Sequence, residues 1–225
     1  MKKSNGFGQT VILLATAAGL LASRAVAQNI TWGSEIFSDL RDSRGEVLDQ
    51  NSYVFQLGTF QTGFTPTSMN TADWASNWVV FDQASYNEGF GYITSATTMN
   101  ADGSSSYDPG SGFNFSGLTV YLWVYNGTTM SSGTEWFLGS AAAWGSFPAA
   151  ESECCGNSLP VELSLSDLSG GDTPIWGSQG GVDGNGYSSV GGNFTLQTFS
   201  VIPEPSLCGL AICGGMVWIL RRKRN

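Results

Sequence analysis

Histidine is absent from the 225-residue chain. That removes the usual general base near neutral pH and the commonest zinc ligand, and with them any Ser-His-Asp or Cys-His hydrolase. Basic residues are scarce: of nine Lys and Arg, only Arg41 and Arg44 lie between residues 28 and 202. Against them, every one of the eighteen acidic residues except Glu204 falls in that same span. A segment so charged cannot neutralise phosphates, which excludes nucleic acid as a partner. It also disfavours anionic lipid and acidic polysaccharide unless a divalent cation bridges them. Charge of either sign is thin, 12% of the chain against about 25% in globular proteins generally. The surface must therefore be built mostly from Gly, Ser, Thr and Asn, as in many extracellular β-proteins. No nucleotide-binding glycine motif follows a strand.

Paired carboxylates hydrolyse glycosidic bonds without histidine, and Glu135, Glu151, Glu153 and Glu162 are candidates by residue type. Type alone carries little weight, because a surface this acidic always offers pairs. The chain is accordingly read as not an enzyme, with a glycoside hydrolase as the third reading.

Both ends carry address-like patterns. Lys2 and Lys3 precede an apolar stretch from Val11 to Ala22, and Ala25-Val26-Ala27 places small residues where a signal peptidase reads them. Cleavage before Gln28, with Ala25 and Ala27 as the recognised residues, makes residues 1–27 a signal peptide that engages the export machinery. At the other end, Leu207 to Leu220 is an apolar run followed by Arg221, Arg222, Lys223 and Arg224. As a helix its fourteen residues reach about 21 Å, at about 1.5 Å per residue, short of a hydrocarbon core of about 30 Å. The basic cluster stops transfer and stays inside, and Trp218 sits at interfacial depth. Gly209 with Cys213, and Ala211 with Gly215, are four apart, a spacing that lets another transmembrane helix approach closely. Pro203 and Pro205 keep Ile202 and Glu204 out of the α region, so the backbone before the run is extended and open to a protease.

Pro203-Glu204-Pro205, a short small-residue-rich apolar helix and a terminal Arg cluster together resemble the PEP-CTERM sorting signal of exported bacterial proteins. The resemblance covers residues 203–225, and the body is similar to exported PEP-CTERM proteins without an assigned activity. It implies processing by an exosortase, a polytopic membrane protease with a cysteine nucleophile, in an envelope that also makes exopolysaccharide. The protein is then expected at the inner membrane only transiently, before reaching the cell surface or extracellular matrix.

Between the ends, residues 28–202 are enough for one domain with a real core. Short apolar runs recur between Gly, Ser, Asn and Pro: Tyr53–Phe60, Trp78–Phe81, Gly91–Thr97, Leu118–Tyr125, Glu135–Leu138, Val161–Leu165 and Phe194–Phe199. This rhythm predicts a mostly β protein, an antiparallel β-sandwich of jelly-roll or lectin-like kind. Leu118–Tyr125 is apolar or aromatic nearly throughout and reads as a central strand covered on both faces. Asn126-Gly127 after it is the strongest turn dipeptide. Val161–Leu165 and Phe194–Phe199 alternate, as half-buried strands do. One short helix is expected after Asn70, with Trp74 and Trp78 on one face sealing an end of the core.

Asp183-Gly184-Asn185-Gly186 lacks the terminal carboxylates of an EF-hand and reads as a Gly-rich turn. A looser calcium site using Asp172 or Asp183 is the one cofactor the acidic composition leaves open. Cys154 and Cys155 are adjacent, with α-carbons about 3.8 Å apart, below the usual disulfide range of about 4.4–6.8 Å. A strained vicinal disulfide, bonds to another chain and a soft-metal thiolate pair beside Glu151 and Glu153 all stay open. The N-glycosylation patterns at Asn29, Asn114, Asn126 and Asn193 reflect composition in a bacterial host. Trp144 and Trp176 lie in Gly- and Ser-rich stretches and are the candidates for sugar stacking. The leading reading is a non-enzymatic protein of the cell surface or matrix; the alternative is a carbohydrate-binding module acting on exopolysaccharide. Two exposed aromatics on one face would mark the second.

Overall fold

A computed structural model describes residues 27–149, 160–169, 172–180 and 195–201. They form a mostly β structure with one short helix. The strands are β1 (Gln28–Gly33), β2 (Asp39–Arg41), β3 (Val54–Phe60), β4 (Trp78–Asn87), β5 (Tyr92–Met99), β6 (Tyr121–Tyr125), β7 (Glu135–Gly139), β8 (Val161–Ser164), β9 (Ser178–Gln179), β10 (Thr195–Gln197) and β11 (Phe199–Ser200). Eight build one sheet in the order β11-β7-β6-β3-β4-β5-β1-β8, and β2-β10-β9 build a second. Pairing is antiparallel except for β1 with β8 and β2 with β10, which run parallel. The expected antiparallel arrangement holds for seven of the nine strand pairings, and these two depart from it. Both parallel partners join strands far apart in sequence, where no hairpin dictates direction.

The interior strands bury both faces, because their side chains alternate between two apolar clusters. Leu122 and Val124 of β6 and Phe137 of β7 enter the larger cluster with Phe55, Leu57, Phe81 and Ile93. Leu40 of β2 and Leu196 of β10 join it, so the small sheet shares the large sheet's core. Trp123, Trp136 and Leu138 point the other way, into an aromatic cluster with Phe60, Trp74 and Val201. Of the 118–125 segment, residues 121–125 form β6, which takes the expected interior place between β7 and β3, while 118–120 lead into it.

Three local expectations change. Asn126-Gly127 does not close a two-residue turn, since β6 and β7 are joined through residues 126–134. Asn126 instead ties the loop's ends together: Glu135 N donates to its Oδ1 at 2.8 Å and its Nδ2 donates to Gly133 O at 2.9 Å. Trp78 is not helical. The helix is the single turn Trp74–Asn77, preceded by a 3₁₀ turn at Thr71–Asp73, and Trp78 opens β4 with extended backbone. The alternating 194–199 segment splits into β10 and β11, one in each sheet, and Thr195 through Thr198 are all buried. Two sheets compete for these residues, and alternation cannot show that.

Register between β3 and β4 slips at Leu57/Gly58, where Leu57 faces Asp82 and Gly58 faces Val80, leaving Phe81 as the extra residue. The Ser105 hydroxyl donates to the Phe81 carbonyl, satisfying an acceptor that the bulge would strand. A Cβ at Gly58 would collide with the Val79 carbonyl and lie 2.7 Å from the Trp78 ring. Gly58→Ala is therefore expected to destabilise the fold by about 1–3 kcal/mol, the usual range for overpacking. A lowered denaturation midpoint at constant slope would show it; an unchanged midpoint would mean the bulge relaxes.

Candidate functional site

Two loops converge beside the small sheet. One links β1 to β2 and carries Ile36 and Phe37; the other links β4 to β5 and carries Glu88, Phe90 and Gly91. Phe37 N donates to Phe90 O at 3.0 Å, and Ser34 N donates to Ile93 O at 2.9 Å. Ile93 N returns a bond to Ser34 Oγ at 3.1 Å, and Ser38 Oγ donates to Glu35 O at 2.7 Å. Gly91 has φ +61, and a Cβ there would lie 3.2 Å from Ser38 O, so glycine is what allows the two loops this close.

The loops hold two phenylalanines outward, Phe37 at 67% and Phe90 at 58% exposure, around a cleft of about 370 Å³. Phe37 has φ 67, the one positive φ outside glycine among the described residues. A bulky side chain in that region is strained, and such strain persists only where surrounding bonds over-determine it. Tyr86, Asp39, Arg41, Val47 and Glu88 complete the lining. Arg41 and Asp39 form an ion pair at 3.3 Å. Burial holds the Tyr86 hydroxyl above its ordinary pKa, the Glu88 and Asp39 charges adding to the effect and Arg41 opposing it. The hydroxyl is therefore a neutral donor at physiological pH. The cleft thus combines aromatic faces with a few polar groups, the usual make-up of a small-ligand site.

A second cavity, about 580 Å³, opens over Asp42, Arg44, Asp49, Tyr53 and Glu135. Glu135 is buried and accepts four bonds: Ser43 N at 3.0 Å, Ser43 Oγ at 2.5 Å, Tyr53 OH at 2.7 Å and Thr198 Oγ1 at 2.7 Å. Burial alone would push its pKa up. The Ser43, Tyr53 and Thr198 bonds outweigh burial and hold it below the ordinary glutamate value. Burial and the bond to Glu135 raise the Tyr53 hydroxyl in turn. Asp42 is similarly occupied, by Arg44 N and Glu46 N on one oxygen and the Arg44 guanidinium on the other. Glu135, held below its ordinary value, is thus a fixed acceptor, unlike the carboxyl group that keeps its proton as the acid of a glycosidase.

The candidate sugar platforms are corrected in part. Trp144 is buried, 6% exposed, and its indole N–H lies 3.1 Å from Ser164 O and 3.2 Å from an Asp167 carboxylate oxygen. Two internal acceptors and the larger apolar cluster hold it in; Gly145, with φ 60, closes the 3₁₀ turn that carries it. Trp176 is half-buried, set edge-on to Trp74 at 6.5 Å with its N–H on Phe199 O at 3.1 Å. Neither joins the cleft. Phe37 and Phe90 do, and the Gly89-Phe90-Gly91 setting of one of them carries the same sequence signal that pointed to the tryptophans. Glu162 is exposed on β8, and the Asp172 carboxylate accepts from Ala142 N at 3.1 Å. No group of three metal-ligating side chains comes together among the described residues.

Ala27 is exposed and Gln28 opens β1. Ala25, Glu151, Glu153, Cys154, Cys155, Asp183, Pro203, Glu204, Pro205 and the 221–224 basic cluster lie outside the described residues. No helix among the described residues is long and apolar enough to cross a membrane. Comparison with known proteins finds no matching family model, no matching curated protein and no matching solved structure.

Proposed function

We propose that this is an exported, non-enzymatic interaction protein of the cell surface or matrix, sorted through a PEP-CTERM tail and binding through the Phe37/Phe90 cleft. The observation that carries the binding role is the pair of exposed phenylalanines clamped by backbone bonds around one cavity. Apolar side chains held in water at the expense of backbone strain are a poor bargain for stability alone. The sharing of one core by two sheets supports a sandwich of lectin-like kind. The export reading is supported by where the fold sits in the chain. β1 opens at Gln28, so removing residues 1–27 leaves every strand whole. At the other end Val201, two residues before Pro203, is buried and its N–H donates to Thr134 O at 2.8 Å, so the body is packed as far as Val201.

Processing is tested by mass. The mature protein is expected to lack Leu207 to Asn225, and changing Pro203-Glu204-Pro205 to three alanines to leave the intact chain in the inner membrane. Intact protein in both cases, with Arg221 to Arg224 recovered by peptide mapping, would make the tail a plain anchor. Replacing Arg221, Arg222, Lys223 and Arg224 by Ser removes the stop and is expected to release uncut chain. The binding role is tested by retention of the mature protein on its own cells' envelope, which Phe37→Ala with Phe90→Ala should abolish. Unchanged retention would reject the cleft.

A further inference from the structure

The groups around Phe37 and Phe90 narrow the chemistry of what can bind there. A wholly apolar partner would strip water from Glu88, which is exposed at the rim, and give nothing back, which is costly. An anionic ligand meets two carboxylates against one guanidinium, and that guanidinium is already paired with Asp39. A large protein surface is poorly matched as well, since stable interfaces take about 800 Å² per partner, while this cleft of about 370 Å³ lies at the small end of the roughly 300–1,000 Å³ typical of small-ligand sites. A saccharide unit presents what is left: flat C–H faces for aromatic rings, and hydroxyls that both donate to carboxylates and accept from a phenol or guanidinium.

We propose that the cleft binds an uncharged saccharide, its ring face against Phe37 and Phe90 and its hydroxyls toward Asp39, Glu88 and Tyr86. This rests on the reading of the body as an interaction protein and adds the ligand class. The clamp between the loops means that little is left to order on binding, so a single sugar unit gains from a site already formed. Recognition is expected without calcium, the hydroxyls being met directly by Asp39, Glu88 and Tyr86 of the lining.

The test uses the full-length chain in detergent, titrated calorimetrically with cellohexaose, maltohexaose, mannohexaose and xylohexaose. Hexagalacturonate and hexalysine serve as the acidic and basic probes. At least one uncharged oligosaccharide should bind, unaffected by a calcium chelator and changed less than about twofold between 0.1 and 1 M salt. Phe90→Ala should weaken it about tenfold or more, and Phe90→Trp should restore it. Phe90 is exposed, so its removal is expected to leave the unfolding temperature nearly unchanged. Binding of hexalysine alone, lost at high salt, would overturn the saccharide in favour of a cationic peptide. If no oligosaccharide binds while Phe37→Ala with Phe90→Ala still frees the protein from the envelope, the ligand class is wrong and the interaction surface stands. If the double variant also leaves envelope retention intact, the interaction reading falls with it.

Discussion

Replacing Trp74 with alanine is expected to destabilise the fold by about 3–5 kcal/mol, the range for removing a buried aromatic side chain. For a domain this size that lowers the unfolding temperature by roughly 6–20 °C. Trp74 is fully buried and stacks on Trp136 at 5.4 Å and 22°. It also meets Trp123, Phe60 and Trp176 edge-on, at 6.3, 6.3 and 6.5 Å. Its N–H donates to Asn70 Oδ1 at 3.0 Å, which fixes the one-turn helix over the sheet. Four aromatic contacts and a satisfied polar atom leave a cavity that the rigid sheet beneath cannot fill. Trp74→Phe should lose distinctly less, since it keeps much of the volume and gives up only the indole N–H and part of the stack. A loss below about 1 kcal/mol for the alanine variant would mean that the 61–77 segment collapses onto the gap. Equilibrium unfolding in urea with near-ultraviolet circular dichroism would separate these cases.

Glu135→Ala is expected to cost about 3 kcal/mol or more, because bonds to a charged acceptor contribute roughly 1.5–3 kcal/mol each and are not additive. Its donors come from residues 43, 53 and 198, so one carboxylate holds the β2 loop, the start of β3 and the β10–β11 junction against β7. The pH dependence follows from the direction of its shift. The folded-state pKa lies below the ordinary value, so its stabilising contribution is complete well above about pH 4 and is lost as pH falls toward the folded value. Glu135→Gln keeps the shape while removing the titration. It should flatten the acid limb of the stability curve without abolishing it. Asp49, lowered by the Asn51 backbone bond and Ser52, and Asp102, lowered by the Ser104 hydroxyl and backbone, still titrate in the same direction. An acid limb identical in wild type and Glu135→Gln would remove Glu135 from this role.

Neither result was visible in residue order, and the reason is distance. Glu135 stood out by type alone, as one of four glutamates; its four donors lie 63 to 92 residues away. Residue order puts Trp74 on a short helix, as observed, but its stacking partner Trp136 belongs to a strand that local pattern cannot set beside it. β1 and β2 carry no strand signal of their own, because Asn-Ile-Thr-Trp and Asp-Leu-Arg are too short and mixed to stand out from turns.

By itself, the sequence determined what has a local cause. The missing histidine removed whole classes of chemistry, apolar runs cut by Gly and Asn meant strands, and the continuous run at 118–125 meant a strand covered on both sides. The reading of the two ends rests on sequence alone, because an apolar run and its flanking charges act on membrane machinery in linear order. Only the tertiary structure decided which aromatics face water. Trp144 and Phe90 both sit among glycines, yet Trp144 finds two acceptors inside the body while Phe90 is held out by a bond from Phe37 across the cleft. Burial is settled by partners that the chain brings in from afar, and local composition carries no record of them.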